Sequence, residues 1–316
     1  MAGTYREINY RLRPAKHVER LMLSDMFRRL KFANIESYQY VGLGSVYFTD
    51  FLLFHRALGL SSMTCVEKET YDQTRFNDNL PFSNITMEWG LTSDRLPNIN
   101  LSLRTIAWLD YDGRLSTVVL DDIRHFVGAS PSGSVLVVTV QCNPEKFDSA
   151  NPRKNVARLA NEIGAEKVDP ALDDEALLGW GCADLFRRII INQIADTLDK
   201  LNGVRSEPQK MQFEQTVYFQ YEDDARMMSV GGVLFDRGQK LIFDQCAFSD
   251  LEFYRNSSDP FRIDIPKLTT KEIALLDRQM PLPVGASPTL GSIPLRDAQQ
   301  YVRIYRYFPN FVAVVS

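Results

Sequence analysis

Between residues 38 and 145 the chain alternates short apolar runs with segments whose apolar positions recur every three or four residues. The run YQYVGLG predicts a strand, and SVYFTDFLLFHRALG predicts a helix that starts at Ser45 and is closed by Gly59. SMTCVEKE reads as a second strand with acid at its end, and TYDQTRFNDNLPF as a helix or loop. NITMEWG and TIAWLDYDG follow as strands, then LSTVVLDDIRHFV as a helix and SVLVVTVQCN as a fifth strand. Strands alternating with helices predict βαβ units, a mainly parallel sheet and right-handed crossovers.

The flanks differ. RPAKHVERLMLSDMFRRLKF places Val18, Leu21, Met22, Met26 and Leu30 at helical spacing behind Pro14, so residues 1–37 are expected to form a basic helical segment. Residues 146–210 read as a helical insertion. Two more strands, QFEQTVYFQYE and RMMSVGGVLFD, meet at Asp223 and Asp224, which predicts a hairpin. Residues 250–316 read as a helical extension, with Thr269 or Thr270 as a cap ahead of Glu272. The expected division is a segment 1–37, a Rossmann-like domain 38–249 and an extension 250–316.

With 45% apolar and 24% charged residues, the 316-residue chain has the make-up of an ordinary globular protein. Its net charge of -4 gives no global attraction to nucleic acid or anionic membrane, so a nucleic-acid contact would need a local patch, such as the basic N-terminal segment or the aromatic, basic YVRIYRYFPNF. Cys65, Cys142, Cys182 and Cys246 lack zinc-site spacing, and His17, His55 and His125 lack ligand spacing, so no structural metal is expected. No apolar run is long enough to span a bilayer, and a cytoplasmic protein is expected.

The candidate chemistry lies at the ends of the predicted strands. Gly42, Gly44 and Ser45 sit in a strand-to-helix turn, where glycines let the backbone approach a ligand and a helix start offers N–H groups. Glu67, followed by Lys68, closes the second strand, where an acid either accepts from both ribose hydroxyls of a nucleoside or is simply solvated. Gly90, Leu91 and Ser93 follow the third strand, in a loop suited to lie against adenine. Asp110 and Asp112 follow the fourth, as a general base, metal ligand, substrate clamp or helix cap. Lys16, Arg13 and Arg20 would bind phosphate, pair with acids near the crevice mouth, or simply form a solvated helix face.

A hairpin after five parallel strands resembles the class I methyltransferases rather than the dinucleotide dehydrogenases. The stretches NYRLRPAKHVERLM, YVGLGSVYFTDFLLFHRALG, VEKE, RFNDNLPF and IAWLDYDGRL together resemble a group of bacterial proteins labelled putative O-methyltransferases and met in defence-type gene neighbourhoods. The resemblance covers most of residues 8–145 and more loosely the C-terminal YRYFPNF. It implies an α/β, Rossmann-like class I sheet, S-adenosylmethionine as cofactor, and an acceptor that is nucleic acid, nucleotide or protein. A fainter similarity to RNA ribose methyltransferases pairs Lys16 with Asp110 or Asp112 beside a target hydroxyl. The chain departs from the usual glycine motif: Tyr40 stands where an acid belongs and Val46 where a third glycine belongs. The alternatives are a non-catalytic subunit that docks partner proteins through the 146–210 and C-terminal helices, in an antiviral defence complex, and a nucleotide-binding protein holding a divalent metal on the two Asp residues.

Overall fold

The structure is a computed structural model that describes residues 13–143, 149–283 and 285–309. Part of the basic segment (residues 1–12, with Arg11), residues 146–148 of the expected insertion and the terminal residues 310–316 lie outside them. Helix α1 (Pro14–Arg28) leads into β1 (Gln39–Leu43), α2 (Thr49–Leu58), β2 (Ser62–Glu67), α3 (Gln73–Asp78) and β3 (Ile85–Trp89). The one-turn α4 (Thr92–Arg95), β4 (Thr105–Asp110), α5 (Thr117–Ala129) and β5 (Ser134–Gln141) follow. Then come α6 (Lys154–Ile163), α7 (Gly181–Asn202), β6 (Met211–Glu222), β7 (Arg226–Asp236), α8 (Lys240–Gln245), β8 (Phe261–Ile263), α9 (Thr270–Asp277) and α10 (Leu295–Ile304).

The eight strands form one sheet in the order β3-β2-β1-β4-β5-β7-β6-β8. β1 to β5 pair in parallel, and β7 runs antiparallel between β5 and β6. This is the expected Rossmann-like class I methyltransferase sheet with its late hairpin. The 250–316 segment is not purely helical, because β8 adds three residues in parallel beside β6. Strand order reverses between β1 and β4, and the crevice outside their carboxyl ends is where open α/β sheets bind ligands.

Each sheet face is covered by its own apolar layer. On one, α5, α6 and α7 pack over Val41, Leu109, Leu136 and Val138. On the other, α1, α2 and α8 pack over Tyr40, Trp108, Val135 and Val137. Alternate residues of β1 and β4 therefore serve opposite cores, which is why their sequences are apolar throughout rather than alternating. A separate small cluster of Leu276, Ile293, Ala298 and Tyr301 holds α9 and α10 together. The Thr269–Glu272 capping box opens α9 as the sequence predicts. Among the described residues, no helix is long and apolar enough to cross a membrane.

Helix α1 is buried nearly all round and is fixed at its start by a distant residue. The backbone N–H groups of Ala15 and Lys16 donate to Asp223 Oδ1 and Oδ2 at 3.0 and 3.1 Å. Asp223 stands in the turn between β6 and β7, so the hairpin supplies the N-terminal cap that α1 lacks in its own sequence. Arg13 stands 3.8 Å from the same carboxylate. Replacing Asp223 with Ala is expected to lower stability by about 1–3 kcal/mol through loss of the cap and of the buried ion partner. Asp223→Asn should lose less, because it keeps an acceptor; thermal denaturation of the two variants against the parent chain checks this order.

Candidate functional site

A cleft enclosing about 880 Å³, part of it open to solvent, lies at the carboxyl ends of β1, β2 and β4. Leu43, Gly44, Ser45, Val66, Glu67, Lys68, Asp110, Tyr111 and Asp112 line it from the strand ends, Phe48 from the turn before α2, and Arg20, Asp50 and Phe51 from the helices.

The two glycines do different work. Gly42 lies inside β1, and a Cβ there would sit 2.6 Å from the Tyr40 hydroxyl. It is bare so that the buried Tyr40 ring can fold over it, and it does not line the cleft. A Cβ on Gly44 would sit 2.8 Å from Glu67 Oε2 and 2.9 Å from Cys65 Sγ, so its absence leaves the Glu67 carboxylate its place. Neither glycine is left-handed; the turn residue that is left-handed is Phe48, at φ 45°. Phe48 adopts that rare conformation with its ring buried against Phe51 and Phe76, and it sets the start of α2 at Thr49. The helix therefore begins four residues later than the apolar pattern predicts. Ser45 lies in the turn, where its hydroxyl accepts from the Tyr47 N–H at 3.3 Å.

Glu67 ends β2 with its side chain in the cleft wall and only 7% of the residue exposed. Oε1 accepts from the Glu69 N–H at 2.8 Å. Oε2 makes no hydrogen bond among the described residues. Burial pushes the carboxyl up to about 7, a rise that the Glu69 N–H and Lys68 oppose and that Glu69 and Asp112 reinforce. Lys68 is exposed and lines the cleft. Of the predicted loop after β3, Gly90 has φ 137° and donates its N–H to the Glu67 carbonyl at 2.9 Å. Gly90, Leu91 and Ser93 stand outside the lining, and Thr92 takes that place.

Asp110 and Asp112 both line the cleft but differ in setting. Asp110 Oδ1 accepts from Lys16 Nζ at 2.7 Å. Lys16 is completely buried, 2.9 Å from Glu19 Oε2, 3.1 Å from the Tyr221 hydroxyl and 4.3 Å from the centre of the Trp108 ring. It lies behind Asp110 and outside the lining, a setting that the expectation of a lysine at the target hydroxyl did not include. Asp112 is exposed at the rim. Between them the Tyr111 hydroxyl donates to Asp122 Oδ2 at 2.7 Å. Burial pushes Asp122 up to about 6 in spite of that bond.

Reasoning from sequence missed Asp50 and Phe48, and it gave no role to Tyr111 or, within the 90–94 loop, to Thr92. It named Arg20 only as a residue near the crevice mouth. Arg20 follows Lys16 by one helical turn, so the same face of α1 carries both, and its Nε donates to Asp50 Oδ1. Among the described residues, no group of three or more His, Cys, Asp or Glu is arranged to hold a metal ion.

A family model described as "Putative O-methyltransferase" matches residues 8–316. The chain belongs to that family. No curated protein matches it. Among solved structures it is similar to Trm1 from Pyrococcus horikoshii in complex with S-adenosyl-L-methionine, at 13% identity and TM-score 0.45 over 72% of this chain and 57% of that one. It is similar also to the O-methyltransferase TomG from Streptomyces achromogenes in complex with SAM, at 15% identity and TM-score 0.36 over 68% and 78% of the two chains. The N-methyltransferase NodS from Bradyrhizobium japonicum is 8% identical, with TM-score 0.39 over 69% of this chain and 97% of that one.

In this member of the O-methyltransferase family, five carboxylates (Asp50, Glu67, Glu69, Asp110 and Asp112) line the cleft against two cations, Arg20 and Lys68. Such a lining favours a cationic ligand over a polyphosphate. Glu67 also bears on stability. Its folded pKa is raised, so the protonated form favours the fold, and stability falls as pH rises from the ordinary glutamate range through about 7. Glu67→Gln removes that charge with little change of shape. The variant should match the parent chain near pH 4.5 and exceed it by about 1–3 kcal/mol at pH 8. Urea denaturation at the two pH values measures the difference.

Proposed function

We propose that this chain transfers a methyl group from S-adenosylmethionine to an acceptor hydroxyl. The observation that carries this reading is Glu67 Oε2, an acceptor with no hydrogen bond among the described residues, given its place in the cleft wall by the bare Cα of Gly44. A ribose offers two adjacent hydroxyls to such a carboxylate. Glu67 would hold the ribose, Gly44 and Ser45 would pass beneath it, and Thr92 with Lys68 would flank the adenine end. The acid-rich lining suits a donor that carries a sulfonium charge.

The bound donor supplies an electrophilic methyl group on sulfur. The chain's contribution is to hold donor and acceptor in line and to exclude water, and most of the acceleration in such transfers comes from positioning. Asp110, fixed by Lys16, presents a static negative charge at the cleft wall. Asp112, exposed at the rim, is the group we assign to take the proton that an acceptor hydroxyl loses as its oxygen bonds to the methyl carbon. The electron pair of the broken carbon–sulfur bond stays on sulfur and leaves a neutral thioether. The acceptor approaches from the Asp110–Asp112 side. A phosphate-bearing acceptor would have to keep its phosphates clear of these acids.

Calorimetric titration with S-adenosylhomocysteine tests the donor site. Ionised Glu67 is the form that accepts from hydroxyls, and it grows as pH passes through about 7. Affinity should therefore tighten about tenfold between pH 6 and pH 8. Glu67→Gln should weaken binding about 10- to 100-fold at pH 8 and abolish the pH dependence. Absence of binding at every pH would remove the donor site and this reading with it.

A further inference from the structure

A donor anchored by its ribose at Glu67 carries, at its other end, an α-amino acid group with one positive and one negative charge. β1 has no charge to offer that end, because its residue 40 is a buried tyrosine folded over Gly42. Of the charged side chains that line the cleft, Arg20 and Asp50 are the two that come from helices. Both are buried, with side chains 5% and 12% exposed. A single hydrogen bond joins them, from Arg20 Nε to Asp50 Oδ1. Among the described residues, the two terminal nitrogens of Arg20 and Asp50 Oδ2 make no hydrogen bond. Four N–H donors on a guanidinium and one carboxylate oxygen thus remain unused at a wall of the cleft.

We infer that Arg20 and Asp50 form the subsite for the amino acid end of the donor, with the guanidinium on its carboxylate and Asp50 on its ammonium. This rests on the donor reading of the cleft. An ion pair that served only to tie α1 to α2 would leave no reason for both partners to reach the cleft lining. A guanidinium held through Nε keeps its terminal fork, the edge that binds a carboxylate by two parallel hydrogen bonds. The pair's net charge is zero, as is that of the group it would receive, so binding there adds no uncompensated charge to a buried position. The subsite makes the cleft select an amino acid conjugate of adenosine over adenosine thioethers that lack one.

The experiment compares S-adenosylhomocysteine with 5′-methylthioadenosine, which has the same adenosine and thioether but no amino acid end. The parent chain should bind the first at least ~30-fold more tightly, the gain of a charge-assisted pair of contacts. Asp50→Asn should weaken S-adenosylhomocysteine about 10- to 30-fold and leave methylthioadenosine within about twofold, which also shows that the cleft is intact. Arg20→Lys, which keeps charge but loses the fork, should narrow the gap in the same way. Equal affinity of the parent chain for the two ligands, or an equal loss of both in Asp50→Asn, would overturn the subsite while leaving the ribose site standing. If neither ligand binds the parent chain, the donor reading fails first and takes the subsite with it.

Discussion

The arrangement of the cleft depends on one buried ammonium group. Lys16 Nζ reaches Asp110 at the end of β4, Glu19 one turn along its own helix and the Tyr221 hydroxyl on β6, above the Trp108 ring. Glu19 in turn accepts from the Ser229 hydroxyl, Ser229 and Thr139 share a hydrogen bond of 2.7 Å, and Trp108 Nε1 donates to Thr139 at 2.9 Å. A charge taken out of water is tolerated only when its partners are close and well placed, and two carboxylates brought near each other repel without a cation between them. Lys16 meets both conditions at once. Through it the first helix becomes part of the sheet's interior.

The charged face of α1 repeats this logic. Arg13, Lys16 and Arg20 follow one another at helical spacing, and each meets an acid from another element: Asp223, Asp110 and Asp50. The strand ends are locked as well. Gly44 N–H donates to the Val66 carbonyl, Gly90 N–H to that of Glu67, and Tyr111 N–H to that of Thr139. The ladder of the sheet thus continues into the loops that carry the site. Glu67, Asp110 and Tyr111 stand on fixed backbone rather than on free loops, which is what a site working by placement requires.

The sheet was legible because its strands are buried on both faces and separated by helices of the right length. Glu67 was legible too, since an acid that ends an apolar run has few places to go but the strand's carboxyl end. Lys16 was read as near the site but not as buried, because lysine is almost always exposed and its partners come from β4 and β6, far along the chain. The Arg20–Asp50 pair was half legible. Spacing puts Arg20 on the face of Lys16, but the facing residue of α2 depends on where that helix starts. The left-handed Phe48, which sets the start, has no signature in sequence. β8 is three residues long, too short for alternation to show.

The capping of α1 by Asp223 has a temporal meaning. The helix that carries Arg20 into the cleft wall is made before the carboxylate that steadies its start, which follows some two hundred residues later. Contacts so distant in sequence form only after the intervening chain has paid its loop-closure entropy. Until the hairpin is made, the start of α1 lacks its capping carboxylate and Arg13 lacks its Asp223 partner. A chain that stops short of the hairpin would carry every residue of the cleft lining but not the carboxylate that fixes the start of the helix bearing Arg20.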